Sequence, residues 1–297
     1  MTTAVETALG ARGRFNALVE LCKIRLSALA VAAVAAGLAL ARPGAIELGL
    51  LASCVAGTML VAFAGSAFNM LIEREHDRRM DRTRHRPLPS GRLSPGFVFG
   101  FGAVCAALGL GLLWWQTNPL ATALCAAILG TYVLVYTPLK RATELNTLVG
   151  AIPGALPPLV GYAAAGGGLD VRALVLFLVV FLWQIPHFLA IAWRYREDYR
   201  RGGMLMLPVT DPGGAATGRQ MVVYTVALVA VSLAAPSVGL GGPVYMTVAA
   251  CAGVLFLVPV VVAAMTRAES AMRLCFLASI TYLPIVLGVM VLDGPWA

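Results

Sequence analysis

The sequence predicts an all-α integral membrane protein, and three observations lead there. Hydrophobic residues make up 60% of the 297 and charged residues only 12%, against about half and about a quarter in an ordinary soluble domain. The apolar residues come in blocks, not in the one-sided stripe of a helix that covers a soluble core. Nine such blocks can be counted, each near the roughly 17–25 residues that a helix needs to cross a bilayer.

The first block runs from Leu26 to Ala41. At about sixteen residues it is the shortest, and it crosses only with help from Leu18 to Leu21 or by tilting. Lys23 and Arg25 precede it and Ala39-Leu40-Ala41 closes it, which mimics a cleavable signal peptide. The late basic flank and the length of the apolar run favour retention as a span. Residues 1–17 read as a flexible cytoplasmic N-terminus of a single domain covering 1–297.

The second block begins near Ile46 and runs into a charged stretch, residues 73–95; the third and fourth begin near Phe97 and Pro119. The fifth, NTLVGAIPGALPPLVGYAA (146–164), carries Pro153, Pro157 and Pro158 with Gly150, Gly154 and Gly161. Prolines free backbone groups that, in lipid, must find partners on neighbouring helices or in a water-lined cavity. Small residues let helices approach closely. This span therefore reads as a kinked packing helix, as the wall of an internal pocket, or as both. The sixth block begins near Ala173 and enters a second charged stretch, 194–219; the last three begin near Met221, Val244 and Met272. The two units of span plus charged loop, with Asp77 lying 121 residues before Asp198, suggest an internal repeat.

With nine spans, every basic residue except Arg42 and Arg172 falls on one side. The positive-inside rule makes that side cytoplasmic and puts the C-terminus outside. The net charge of +8 is thus accounted for by topology, and no basic or aromatic motif supports a nucleic-acid partner. Cysteines 22, 54, 105, 125, 251 and 275 form no Cys-x-x-Cys pair and read as buried thiols.

Two polar clusters carry chemistry. In AFNMLIEREHDRRMDRTRHRPLPSG (67–91), Asn69, Glu73 and Asp77 recur every four residues. If the second span stays helical past Ile72, their oxygens line one face. Such a row suits a hard cation such as Mg²⁺, which commonly takes one or two carboxylates and completes its shell with substrate phosphate. Arg78, Arg82 and Arg86 follow, and guanidinium forks match phosphate oxygens. Together they describe a site for a metal-bound diphosphate, with a solvated loop of ion pairs as the plainer alternative. The second cluster is WQIPHFLAIAWRYREDYRRGGMLMLP (183–208), in which His187, Arg194 and Asp198 share a face if the helix runs on. Asp198 would then complete the metal shell, Arg194, Arg196 and Arg201 would hold phosphate, and Gly202-Gly203 would end the helix.

The pattern N-x-x-x-E-x-x-x-D-x-x-M-x-R-T-x-x-R-P, filled by Asn69, Glu73, Asp77, Met80, Arg82, Thr83, Arg86 and Pro87, resembles the first signature of the UbiA-type intramembrane prenyltransferases. Within them it is similar to the branch that acts on heme. YTPLKRATELNTLVGAIPGALPPLVGY (136–162), WQIPHF (183–188) and REDYRRGGMLML (196–207) match in order. The sequence departs at Ile24, where the family usually shows proline, and in having one well-placed aspartate, Asp198, in the second motif.

The resemblance implies nine transmembrane helices around a central chamber, with cytoplasmic polar loops capping the active site. It implies Mg²⁺-dependent transfer of the farnesyl group of farnesyl diphosphate to a vinyl group of heme b, with addition of water, giving heme O and diphosphate. Under it Asn69, Glu73, Asp77 and Asp198 are the catalytic and metal-binding residues. Arg78, Arg82, Arg86, Lys140 and Arg196 bind the diphosphate. His187, inside a span, either approaches the heme or orders the bundle through a hydrogen bond. The implied setting is a bacterial-type inner membrane, with the N-terminus and active-site loops cytoplasmic. The implied partners are the lipid bilayer, farnesyl diphosphate and heme b, with a heme A synthase or terminal oxidase assembly proteins beyond them. Another aromatic or tetrapyrrole acceptor, or a multi-pass transporter, would also use such spans. A transporter predicts polar groups on several helices near the midplane, whereas these charges gather at one end.

Overall fold

The computed structural model describes residues 10–41 and 47–294. The expected outer turn at 42–45, with Arg42, lies outside the described residues. Among them, eight helical spans are long and apolar enough to cross a bilayer. They are α3 (Leu48–Asp77), α4 (Pro95–Gln116), α5 (Pro119–Gly130) with its continuation to Leu139, α7 (Asn146–Ala155) joined to α8 (Pro157–Ala164), α9 (Val171–Arg194), α12 (Ala215–Ala234), α13 (Pro243–Thr266) and α14 (Glu269–Leu292). A ninth forms if α1 (Ala11–Cys22) and α2 (Ile24–Ala41), bent by 49°, are counted as one span. The stretch 1–17, expected to be flexible, is helical from Ala11 because Ala17 and Leu21 bury against Met70, Leu93 and Val98.

Local signals account for the helix starts. Ser94 accepts from Phe97 N, Asn118 from Ala121 N and Asp170 from Ala173 N, so each caps the helix that follows. Pro95 and Pro119 occupy first-turn positions, where the missing N–H costs no hydrogen bond. Beyond Gly130 the fourth span widens into a π-helical stretch, Thr131–Tyr136, and ends in the single turn α6 (Thr137–Leu139).

The helices close into a ring. Each span packs on the next from α2 through α5, α8, α7, α9 and α12 to α14, and α14 returns to α2. The glycine–proline span is the innermost, with 72% of its apolar window buried, followed by α9 with 56%. Its glycines have a packing reason. A Cβ on Gly161 would stand 1.9 Å from Val34 O, and one on Gly37 would stand 1.8 Å from Pro158 O. The backbones of α2 and α8 therefore touch where a side chain would hold them apart.

At one end the charged stretches fold over the ring. Residues 78–94, together with α10 (Arg196–Arg201) and α11 (Leu207–Thr210), make a cap held by buried Met80, Ala192, Met204 and Met206. Leu205 N donates to Lys140 O at 2.7 Å, and Asn146 Nδ2 donates to Leu205 O at 2.8 Å. The two loops of the suggested repeat lie against each other through His76 and Gly202, whose Nδ1 and carbonyl oxygen are 2.7 Å apart.

Candidate active site

The helix α3 runs unbroken to Asp77, so the condition for a row of oxygens is met. Asn69, Glu73 and Asp77 are 1%, 5% and 0% exposed; they turn inward, away from solvent. Each is met by a cation. Lys23 Nζ donates to Asn69 Oδ1 at 3.2 Å, Lys140 Nζ to Glu73 Oε1 at 2.8 Å, and Arg86 Nη1 to both Asp77 oxygens at 3.0 and 2.8 Å. The Asn69 amide nitrogen is used as well, donating to Thr137 Oγ1 at 3.2 Å. A buried carboxylate without a partner is expensive, so these cations fix the row in place.

The row opens on a pocket of about 80 Å³ under the cap, lined also by Arg82, Thr83, Tyr132, Tyr136 and Tyr199. Lys140 Nζ lies 4.5 Å from the centre of the Tyr136 ring, a cation–π distance. Burial works against the Lys140 charge, but Tyr136 and the Glu73 carboxylate outweigh it and hold this ammonium above the ordinary lysine range. Arg82 lies over Tyr195 and Tyr199, at 4.7 and 5.3 Å, and donates to the Tyr199 hydroxyl at 2.9 Å. The pocket therefore holds three hard-oxygen side chains facing lysine and arginine donors.

Of the residues singled out from sequence, Asn69, Glu73, Asp77, Arg82, Arg86 and Lys140 line this pocket. Asp198, Arg78 and Arg196 are not among the lining residues, and the reason is local. The helix expected to run through 187–198 stops at Arg194, and Tyr195 turns the chain into α10. Asp198 thereby points into the cap, where its oxygens accept from Asp81 N at 3.2 Å and Arg82 N at 3.1 Å and pair with Arg201. Those hydrogen bonds outweigh partial burial and hold its carboxyl below the usual range. Arg196 is spent on Trp193, donating to its carbonyl at 2.8 Å. Arg78 pairs with Glu75 at 2.9 Å and donates to Pro89 O. Arg194 lies over the Tyr195 ring, and Arg201 also reaches Asp81 at 2.6 Å. His187 sits in α9 against Ser279 of α14, outside the pocket lining.

Sequence reading missed Lys23, Tyr132, Tyr136, Thr137 and Tyr199. The Lys23 signal was a charge at the foot of the first apolar block, which serves equally well as a topology marker. Tyr132 and Tyr136 are spaced four apart ahead of Thr-Pro-Leu-Lys, and the π-helical turn brings both to the pocket. Such widened turns recur at functional sites.

Residues 30–280 match the UbiA prenyltransferase family. A protoheme IX farnesyltransferase of Solibacter usitatus (strain Ellin6076) is 45% identical over 250 residues, 84% of this chain and 86% of that protein. Another, of Opitutus terrae, is 38% identical over 293 residues, 97% of this chain and 98% of that protein. Among solved structures, a UbiA homologue from Archaeoglobus fulgidus bound to DMAPP and Mg²⁺ aligns with a TM-score of 0.68 at 13% identity, covering 92% of this chain and 98% of that one. A digeranylgeranylglyceryl phosphate synthase structure aligns with a TM-score of 0.78 at 18% identity, covering 94% and 98%. The ring of helices, the buried oxygen row and a sequence match across most of its length agree: the chain belongs to the UbiA prenyltransferase family.

Proposed function

We propose that this protein transfers the farnesyl group of farnesyl diphosphate to a vinyl group of heme b, with addition of water, giving heme O and diphosphate. The observation that carries it is the buried row Asn69–Glu73–Asp77 facing Lys23, Lys140 and Arg86 at the charged end of an apolar helix ring. The identity of acceptor and donor is supported by relatives called protoheme IX farnesyltransferase that match over nearly their whole length.

The donor set fits magnesium shared with a substrate. Among the described residues no three His, Cys, Asp or Glu side chains come together as a closed metal cage. Mg²⁺ rarely uses one; it keeps water or phosphate oxygens beside one or two carboxylates. Glu73 and Asp77, with the Asn69 carbonyl, would hold it, and it would supply positive charge to the diphosphate oxygens. Lys140, Arg86, Lys23 and Arg82 bind and orient the diphosphate and take up the charge that grows on it as the allylic carbon departs. The aromatic rings around Lys140 and Arg82 exclude water from the carbocation. Asp198 fixes the backbone at Asp81 and Arg82 and so positions the Arg82 guanidinium. The charged end faces the cytoplasm of a bacterial-type cell, and the C-terminus lies outside. Product passes to a heme A synthase or to terminal oxidase assembly proteins.

The test is direct. Purified protein in nanodiscs, given heme b, farnesyl diphosphate and Mg²⁺, should yield farnesylated heme by mass spectrometry. Turnover of a different aromatic or tetrapyrrole acceptor, with heme b left untouched, would overturn the assignment.

A further inference from the structure

His187 is the one histidine set deep in a span, seven residues before the end of α9 at Arg194, a depth of about 10 Å below the cap at the rise of an α-helix. Its Nδ1 lies 2.7 Å from Ser279 Oγ. That hydroxyl also lies 2.6 Å from the carbonyl of Phe276. A serine has a single proton, and a carbonyl can only accept. Both contacts hold together only if Ser279 donates to Phe276 O and the imidazole Nδ1–H donates to Ser279. The lone pair is then left on Nε2, at the other edge of the ring, and no hydrogen-bond partner for it occurs among the described residues.

The surroundings fix this orientation. Trp183 stacks on the imidazole with centroids 4.9 Å apart, and Phe276 lies 5.1 Å away. Trp183 Nε1 also donates to Ser279 O at 2.6 Å, so Ser279 anchors both rings. Ser279 is fully buried, while His187, Phe188 and Phe276 each keep part of their surface open. A neutral imidazole with its tautomer set by a second group is the usual form of a nitrogen ligand to a metal. Stacked nearly parallel to the imidazole, Trp183 fixes the plane of that ring and leaves its Nε2 edge uncovered, and the iron of a tetrapyrrole takes axial imidazole nitrogen.

Resting on heme b as the acceptor, we infer that His187 Nε2 ligates the iron of the incoming heme and sets its depth and orientation, with Ser279 as the positioning residue behind it. The ligand leaves the vinyl groups at the ring periphery free to meet the farnesyl carbon below the cap.

The test uses binding, not turnover. Full-length protein in nanodiscs is titrated with heme b and, separately, with metal-free protoporphyrin IX, without farnesyl diphosphate. Wild type should bind heme at least about tenfold more tightly than the iron-free ring and show the absorption and EPR signature of histidine-ligated iron. His187→Ala and His187→Gln should erase both the preference and the signature, and added imidazole should restore the signature in His187→Ala. Ser279→Ala should keep the ligand but weaken the preference. A wild-type protein with no preference for iron overturns the inference, as does a His187→Gln protein that keeps the spectrum. Heme O formation is read in parallel. Its absence beside an intact histidine-ligated spectrum counts against the proposed reaction alone.

Discussion

Lys140 Nζ stands 2.8 Å from Glu73 Oε1, with the lysine 12% and the glutamate 6% exposed in their side chains. This buried pair joins α3 to the loop after the fourth span. Removing one partner strands the other charge away from water. Lys140→Ala is therefore expected to destabilise the protein by about 3–5 kcal/mol, read as a fall in thermal midpoint in detergent. The double variant Lys140→Met with Glu73→Leu should recover much of that loss while remaining inactive. Equal stability of the single variant and wild type would show that the pair is not desolvated.

The oxygen row makes a separate prediction about chemistry. Glu73→Gln and Asp77→Asn preserve shape and remove charge, and each should lower heme farnesylation by about 10²–10³-fold. The Mg²⁺ concentration for half-maximal rate should rise in both. Asp77→Asn additionally leaves Arg86 one neutral acceptor where it had two carboxylate oxygens, so its stability should fall more than that of an exposed substitution such as Glu75→Gln. Full turnover in either row variant would remove these residues from the reaction.

Asp198 acts through the cap, which gives its variant a distinct signature. Asp198→Ala leaves the N–H groups of Asp81 and Arg82 without their acceptor. Amide exchange over 78–86 should speed up, and KM for farnesyl diphosphate should rise more than kcat falls. The carboxyl is held low in the folded protein, so its contribution is present above the unfolded value of about 3.9 and is lost as pH falls through the lower folded value. The difference in thermal midpoint between wild type and Asp198→Asn should stay constant from pH 8 to about 5 and shrink only below about 4.

Two glycines separate packing from helix propensity. Gly161→Ala drives a methyl into the Val34 carbonyl and should cost at least about 1–3 kcal/mol, with lower expression and midpoint. At Gly288 a Cβ meets nothing within 4 Å, so Gly288→Ala should be neutral or stabilising by up to about 1 kcal/mol. Indistinguishable effects at the two sites would argue against the close crossing of α2 and α8.

Much of this arrangement was legible in the sequence because it is local. Asn69, Glu73 and Asp77 share a face by helical spacing alone, and that face is inward because α3 continues past Ile72. The spans followed from apolar length. What escaped depends on backbone detail and long-range packing. Lys23 reaches Asn69 only because the chain takes a left-handed turn there, with φ of 47°, between α1 and α2. No glycine or proline announces the break at Tyr195, so the face expected to carry His187 and Asp198 together divides, and the aspartate goes to the cap. At twelve residues the helix α1 is too short to be stable alone, and it forms where Leu21 meets the chain near Leu93.

The cap has a consequence for biogenesis. His76 Nδ1 sits 2.7 Å from Gly202 O, and Asp198 receives the amides of Asp81 and Arg82 across more than a hundred residues of sequence. A nascent chain that has inserted its first five spans already owns the acidic row and residues 78–94 but lacks the α10 and α11 part of the roof. The pocket comes into being only when the sixth span and its trailing loop leave the ribosome, so premature stop codons between residues 165 and 205 should yield membrane-inserted yet substrate-blind fragments.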